Sequence, residues 1–190
     1  MMALPADTLA GLLATDSGEG VGKVLDIAAG HGLYGIAVAR KNPRAHVVAL
    51  DWASVLTVAE QNARAAGVAE RYRLLPGSAF EVDLGRDYDL VLLTNIMHLF
   101  EPAACRRLLG KVHGALRRGG RAAILEFIPN EDRVSPPVPG LFGLMMLATT
   151  PGGDAYPYSE YERVLRDLGF AASELHPLSP TFFSVVIARK

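Results

Sequence analysis

The sequence predicts an α/β protein built on one doubly wound, mostly parallel sheet of seven strands. Short apolar runs, typical of strands buried on both faces, alternate along the chain with segments of helical apolar spacing. Seven such runs occur, at residues 24–27, 46–50, 72–76, 88–94, 121–127, 171–176 and 182–189. No long helix separates the last two, which predicts an antiparallel hairpin at one edge of the sheet.

Helices are predicted between these strands from apolar spacing and from stop signals. The predicted helices cover residues 5–14, 33–39, 55–66, 101–116 and 159–168. The sequence RRGG at 117–120 is typical of a helix end, because basic side chains suit the C-terminal dipole and glycine stops the helix. The fourth strand, YDLVLLT at 88–94, is strongly apolar and is therefore expected at the centre of the sheet.

Composition and charge narrow the class of protein. The 190 residues are half apolar and about a fifth charged, which is typical of a globular protein with one hydrophobic core. The net charge is −1, from 19 basic and 20 acidic residues, so no overall basic excess favours nucleic acid. The first residues lack a secretory signal, and the most apolar later stretch, 140–148, is too short to span a bilayer. A single cysteine, Cys105, fits a reducing compartment, so we expect a cytoplasmic protein that binds neither nucleic acid nor membrane.

The stretch 23–38, KVLDIAAGHGLYGIAV, reads as a strand, a turn of small residues and a helix. This order brings backbone N–H groups to a ligand at the carboxyl edge of a sheet. Glycine at positions 30 and 32 is expected for one of two reasons. Either the turn needs a left-handed φ, or another group packs so closely on Gly30, Gly32 and the neighbouring Ala28 that a larger side chain would clash. Asp26 is expected to direct its carboxylate into the same crevice. An acidic group there suits a ligand with a cationic part, which favours S-adenosylmethionine (SAM) over a dinucleotide.

A second carboxylate follows the second strand. Asp51 lies about twenty residues beyond the glycine turn, where an acidic residue of nucleoside-binding α/β folds accepts hydrogen bonds from ribose hydroxyls. An alternative is that Asp51 or Ser54 only caps the next helix. Trp52, the one tryptophan, has two open interpretations, an adenine contact or a partly buried core residue.

Several motifs together resemble those of the class I SAM-dependent methyltransferases, which have a Rossmann-like fold. They are DxAxGxG at 26–32, Asp51, GSAF at 77–80, YDLVLL at 88–93 and LRRGGRAAILE at 116–126. Within that class the segment 95–127 is similar to the small-molecule O-methyltransferases, including plant caffeate-type and bacterial polyketide-tailoring enzymes. We therefore expect residues 21–190 to form the catalytic domain and residues 1–20 a short N-terminal helical segment.

The resemblance extends the expected cofactor site. Its expected members are Asp26, Ala28, Gly30, Gly32, Asp51, Trp52, Ser78, Ala79, Phe80, Thr94 and Asn95. Ser78 stands where the family often has an aspartate that contacts the adenine amino group. Members usually carry an N-terminal helical domain that dimerises, whereas about twenty residues precede the first strand here. The sequence therefore does not decide whether the protein forms a homodimer, because the usual dimerisation domain is not part of it.

Two residues match the catalytic positions of the O-methyltransferase group. There, a histidine after the fourth strand acts as general base and a glutamate ending the fifth strand orients it; His98 and Glu126 match. A phenol with a pKa near ~10 is only about one part in a thousand ionised at neutral pH, and a histidine with a pKa near ~6.5 can accept its proton. Packing roles for His98 and Glu126 remain the alternative.

The segment LFGLMML at 141–147 is apolar all round and follows the fifth strand on the ligand side. A buried core helix is the commoner interpretation of such a stretch, although methionines also line adaptable apolar pockets. We expect an aromatic acceptor pocket lined by Asn95, Phe142, Met145, Met146 and Tyr156.

The sequence thus predicts a SAM-dependent O-methyltransferase that methylates a hydroxyl of a small aromatic or polyketide-like molecule. It would release S-adenosylhomocysteine (SAH) and use no metal, since the five histidines show no metal-ligand spacing. An N- or C-methyltransferase and a catalytically silent SAM-binding domain remain alternatives. A nicotinamide dehydrogenase is disfavoured by the DxAxGxG form.

Overall fold

The computed structural model describes residues 3–15 and 21–190, so residues 1, 2 and 16–20 of the predicted N-terminal segment lie outside the described residues. The strands are β1 (Lys23–Ile27), β2 (His46–Asp51), β3 (Tyr72–Pro76), β4 (Tyr88–Thr94), β5 (Leu116–Glu126), β6 (Ala172–Pro177) and β7 (Ser184–Arg189). The α-helices are α1 (Ala3–Thr15), α2 (Leu33–Lys41), α3 (Ala53–Ala65), α4 (Pro102–Ala115), α5 (Pro137–Thr149) and α6 (Tyr158–Asp167). Single 3-10 turns are formed by Ala69–Arg71 and Met97–Leu99.

The strands form one sheet in the order β3-β2-β1-β4-β5-β7-β6, which confirms the predicted seven-stranded α/β fold. Strands β1 to β5 pair in parallel, whereas β7 runs antiparallel to both β5 and β6. The predicted hairpin is therefore at one edge, and the apolar β4 is central. The strand order reverses between β1 and β4, and ligands of such sheets bind outside the carboxyl ends of the strands at this switch point.

Two apolar layers cover the sheet, because successive residues of a strand point to opposite faces. On one face Leu9 and Leu13 of α1 are wholly buried together with Val24 of β1. On the other face Leu25 of β1 packs in one cluster with Leu108 of α4. Helix α1 therefore contributes to the same core as the strands.

Asp26 follows the alternation of β1 and lies on the α2 side, where it is wholly buried. Its Oδ2 accepts a 3.0 Å hydrogen bond from the Gly35 N–H, and within the described residues its Oδ1 has no hydrogen-bond partner. A Cβ at position 35 would lie 2.7 Å from Oδ2 and 2.9 Å from Val47 Cγ1, so glycine lets α2 approach the sheet closely. The carboxylate thus lies beneath α2 rather than at the surface of the crevice, and its expected contact with the cofactor stays a prediction.

The predicted helix 101–116 matches α4 to within one residue at each end, but residues 117–120, expected as its C-terminal end, belong to β5, where Gly119 has a left-handed φ of 72°. Helix α4 ends at Ala115, and β5 begins at Leu116. The cation at the end of α4 is Lys190, whose Nζ donates to the carbonyls of His113 and Leu116 at 2.6 and 2.7 Å. The favourable charge at this helix end comes from the last residue of the chain, which local sequence does not reveal.

Helix α5 is not a buried core helix, which corrects that interpretation of the segment 141–147. Its buried side carries Gly143 and Met146. Its other side exposes three leucines to about two-thirds of their surface, Leu141, Leu144 and Leu147. No helix among the described residues has both the length and the apolar character needed to cross a membrane.

The buried Asp26 should make stability depend on pH. Burial raises the pKa of Asp26 from 3.8 to about 7, although the Gly35 N–H bond lowers it. The folded state therefore holds the proton more tightly, and the contribution of this group to stability is present below about pH 4 and lost by about pH 7. We predict that Asp26→Asn removes this loss, so that urea denaturation shows wild type losing stability relative to the variant between pH 4 and pH 8.

The control is Asp132→Asn, at an exposed carboxyl group whose pKa is lowered by hydrogen bonds from Ser135 and Val134. There wild type should gain stability relative to the variant as the pH rises through the lowered pKa of Asp132 toward its ordinary value of 3.8. A difference between wild type and Asp26→Asn that does not vary with pH would contradict the assignment.

Candidate active site

The turn after β1, residues 28–32, brings backbone N–H groups to the carboxyl edge of the sheet. Ala28, Gly30 and Gly32 have left-handed φ angles of 55°, 57° and 83°. A Cβ at Gly32 would also lie 2.7 Å from the Tyr72 hydroxyl, so this position requires glycine for both expected reasons. A Cβ at Gly30 would come no closer than 4.0 Å to a described atom, so its φ alone favours glycine and the space beside it is open.

Asp51 ends β2 and holds this turn from the side. Its Oδ2 accepts a 2.8 Å bond from the Gly30 N–H, and its Oδ1 accepts a 2.7 Å bond from the Trp52 N–H. Each carboxylate oxygen has a further lone pair, so both can still accept from a ligand hydroxyl. The N-terminal cap of α3 is Trp52, without a side-chain hydrogen bond, so the helix-cap interpretation of Asp51 or Ser54 is wrong.

A cleft of about 170 Å³ opens beside Asp51 at the carboxyl edge of the sheet. It brings together six predicted cofactor residues, namely Ala28, Asp51, Trp52, Ser78, Ala79 and Phe80. Trp52 is 61% exposed, so its interpretation as a core aromatic is wrong. Ile96 and Phe100 also line the cleft and were not predicted; their one sequence signal is that they flank His98.

His98 and Glu126 meet at the same edge, at the ends of neighbouring strands. His98 Nδ1 lies 2.6 Å from Glu126 Oε2, and the two residues are 8% and 1% exposed. Glu126 Oε1 accepts hydrogen bonds from the backbone N–H groups of Ile96 and Met97. A carboxylate on Nδ1 favours the imidazole tautomer with its proton there, which leaves the lone pair on Nε2. Chemically, this arrangement can accept a proton at Nε2 while the carboxylate holds the ring in place.

The turn Met97–Leu99, which carries His98, is held from two further sides. Cys105 Sγ donates to the Met97 carbonyl at 3.3 Å, and burial raises the pKa of this thiol to about 12, so it stays uncharged. Gly153 lies directly against the backbone, because a Cβ there would be 2.1 Å from the His98 carbonyl oxygen. The position of the imidazole is therefore fixed by close packing of its backbone.

Thr94 ends β4, and Asn95 follows it, three residues before His98. Thr94 is buried and pairs with Leu125 of β5. Asn95 is half-buried with a left-handed φ of 56°, and its Nδ2 donates to the Tyr34 hydroxyl at 3.3 Å. Tyr34 was not predicted as a site residue, and its one sequence signal is its position two residues after Gly32.

Phe142 of α5 packs directly on the imidazole. Its ring meets the His98 ring edge-on, with centroids 4.8 Å apart, and stacks on Phe127 at 4.3 Å. Phe127 in turn packs on Phe183 at 4.4 Å. Phe142, Phe127 and Phe183 thus form an aromatic wall that begins at His98.

The other residues predicted to line the pocket for the acceptor molecule differ in their exposure. Met146 is buried, whereas Met145 is 48% exposed on the outer side of α5. Tyr156 is buried, and its hydroxyl donates to the Phe100 carbonyl at 2.6 Å. Tyr156 therefore packs beneath the turn that carries His98.

Comparison with known proteins agrees with this geometry. A family model described as an O-methyltransferase domain matches residues 8–171. An L-tyrosine C(3)-methyltransferase from Streptomyces lavendulae is 28% identical over 153 residues, 80% of this chain and 42% of that protein. A 3-hydroxy-5-methyl-1-naphthoate 3-O-methyltransferase from Streptomyces sahachiroi is 30% identical over 151 residues, 80% of this chain and 44% of that protein. The chain thus spans less than half the length of these curated relatives.

Solved structures extend the similarity to the whole chain. A candidate O-methyltransferase from Nostoc punctiforme PCC 73102 is 52% identical with a TM-score of 0.96, over all of this chain and 57% of that one. PigF, solved with SAH, is 25% identical with a TM-score of 0.79, over 88% of this chain and 48% of that one. Since the family model covers most of its residues, the chain belongs to the O-methyltransferase domain family.

Proposed function

We propose that this chain is the catalytic domain of a SAM-dependent O-methyltransferase whose acceptor is a hydroxyl group of a small aromatic or polyketide-like molecule. The observation that carries the proposal is the position of His98. Its ring is oriented by Glu126. In the sequence it lies between Ile96 and Phe100, which both line the cleft beside Asp51. A cleft alone would suit any nucleoside, whereas an oriented imidazole adds the means to deprotonate a hydroxyl.

The cleft residues fit a nucleoside. Asp51 keeps two lone pairs for ribose hydroxyls, and the exposed Trp52 ring offers a flat face to adenine. Ser78 Oγ accepts from the Phe80 N–H, so its own proton is available to an adenine nitrogen. When bound, SAM supplies a methyl group activated by its sulfonium. The described residues include no group of three His, Cys, Asp or Glu side chains placed to hold a metal ion.

The base acts through one nitrogen. With Nδ1 bound to Glu126, Nε2 of His98 accepts the proton of the acceptor hydroxyl, and the carboxylate stabilises the imidazolium that forms. The oxygen thereby becomes the stronger nucleophile at the moment of transfer. Holding this oxygen in line with the methyl group contributes further, up to ~7–11 kcal/mol in the best intramolecular systems.

The surroundings of His98 favour an aromatic acceptor. Phe142 and Phe127 form a stacked pair beside the imidazole, and such rings bind a planar ring by stacking or edge contacts. One curated relative is named for a hydroxylated naphthoate. A dihydroxylated naphthalene is therefore a suitable first acceptor to assay.

Methylation of a ring carbon is the second candidate, because another curated relative is named as a C(3)-methyltransferase of L-tyrosine. Removal of a phenolic proton by His98 raises the electron density on the ortho carbon as well as on the oxygen. The placement of the acceptor then decides which atom is methylated. Product NMR distinguishes the two, and N-methylation or binding without turnover are further outcomes of the same assay.

We predict that His98→Ala lowers kcat by about 100-fold or more, because the variant lacks the proton acceptor. The affinity for SAM should not change, since His98 does not line the cleft. Turnover of 2,3-dihydroxynaphthalene and calorimetric titration with SAM check the two statements. His46→Ala, at an exposed histidine of β2, is the control with full turnover. A His98→Ala kcat within threefold of wild type would exclude the histidine as base.

Trp52 offers a direct report of the cofactor. Because it is the one tryptophan of the sequence, its fluorescence should change when SAH or adenosine binds and stay constant with methionine. Asp51→Asn should weaken SAH binding by about tenfold, through lost charge-assisted bonds to the ribose. Calorimetric binding of SAH without any change in Trp52 emission would place adenine elsewhere.

Gly153→Ala tests the packing of the turn that carries His98. The new Cβ would overlap the His98 carbonyl oxygen, so the turn must move, and we predict at least a tenfold loss of kcat with SAM affinity retained. Gly114→Ala in α4, where a Cβ meets no described atom within 4 Å, should keep full turnover and add up to ~1 kcal/mol of stability. Equal turnover of the two variants would show that the turn tolerates displacement.

A further inference from the structure

Asn95 lies between β4 and the turn that carries His98. It follows the last residue of β4, its N–H donates to the Leu125 carbonyl at 2.9 Å, and it precedes His98 by three residues. Its φ of 56° lies in the left-handed region, which asparagine adopts more readily than most other non-glycine residues. Because glycine would fit the same backbone, the contacts of the amide side chain indicate what asparagine adds here.

The Asn95 side chain has one buried partner. Its Nδ2 donates to the hydroxyl of Tyr34, which is 4% exposed in the first turn of α2. Burial raises the pKa of Tyr34 to about 12, and the charges of Asp26 and Glu126 act in the same direction. Tyr34 therefore remains a neutral hydroxyl that can accept this hydrogen bond throughout the physiological pH range.

This bond sets the direction of the amide. The oxygen and nitrogen of an amide point about 120° apart, so Oδ1 is turned away from the buried Tyr34. No described residue donates a hydrogen bond to Oδ1, and Asn95 is half-buried. A hydrogen-bond acceptor is thus presented at the carboxyl end of β4, three residues before His98, and an acceptor molecule bound over it would desolvate it.

We propose that the Tyr34 hydroxyl fixes the Asn95 amide with Oδ1 toward the bound acceptor, so that Asn95 selects molecules with a second hydroxyl or amine beside the methylated hydroxyl. The inference rests on the proposed function. The proton of the methylated hydroxyl goes to His98, so that hydroxyl cannot also satisfy Oδ1, whereas a neighbouring donor can. A molecule without that donor leaves Oδ1 unpaired. Asn95 is then the specificity-determining residue and Tyr34 a positioning residue.

The test compares 2,3-dihydroxynaphthalene with 2-naphthol, which differ by the second hydroxyl. We expect the diol to bind the SAH complex at least tenfold more tightly by calorimetry, and to show a kcat/KM advantage well above the factor of two for its two equivalent hydroxyls. Asn95→Gly keeps the left-handed φ without strain and removes the amide. Tyr34→Phe keeps the ring and removes the hydroxyl.

Both variants should bring the binding ratio of the two naphthalenes close to one. Tyr88→Phe is the matched control, because it also deletes a buried tyrosine hydroxyl, one bonded to the Leu84 carbonyl, and should keep the wild-type ratio. A wild-type ratio near one, or an unchanged ratio in Asn95→Gly, would overturn the inference. If neither naphthalene were methylated, the proposed function would fail for them, while the binding ratio would still decide the inference.

Discussion

The carboxylate of Glu126 is the interaction on which the site depends. It is 1% exposed, and burying a charge is costly unless hydrogen bonds compensate for the lost water. Three donors do so, the N–H groups of Ile96 and Met97 and the ring of His98. The same bonds that satisfy the charge also shape the turn after β4, so the imidazole cannot move without leaving a buried carboxylate underpaired. The orientation of the imidazole and the stability of this loop are therefore one constraint.

The fold was predictable because the apolar pattern of a parallel sheet is local in sequence. The strands and the edge hairpin follow from runs of buried residues. Most strand ends differ by at most two positions from the prediction, whereas β5 begins at Leu116, five residues before its predicted start. The end of α4 was predicted to within one residue, but its cation was not, since this is Lys190, in contact with the carbonyl of His113. The exposed leucines of α5 were also not predictable. A helix that is apolar on all sides has no polar face to indicate which side is exposed.

The site was predictable where topology alone brings residues together. Asp51 reaches the glycine turn because β2 lies beside β1, and His98 meets Glu126 because β4 lies beside β5. The inward turn of Asp26 depends instead on the close approach of Gly35, the third glycine of GHGLYG, whose spacing does signal tight packing of helix on strand. The bond of Tyr34 to Asn95 joins residues 61 positions apart and depends on side-chain directions that no local pattern encodes.

The two halves of the site are built from different kinds of chemical group. On the cofactor side, backbone N–H groups, left-handed residues and a carboxylate fix the turn, and few substitutions preserve such geometry. On the acceptor side, stacked rings of Phe142 and Phe127 meet His98, and side-chain packing can change shape without unfolding a strand. One fold can therefore keep a single cofactor while accepting varied acceptors. Selectivity for a particular acceptor then has to come from polar groups with a fixed direction, because aromatic walls alone discriminate weakly.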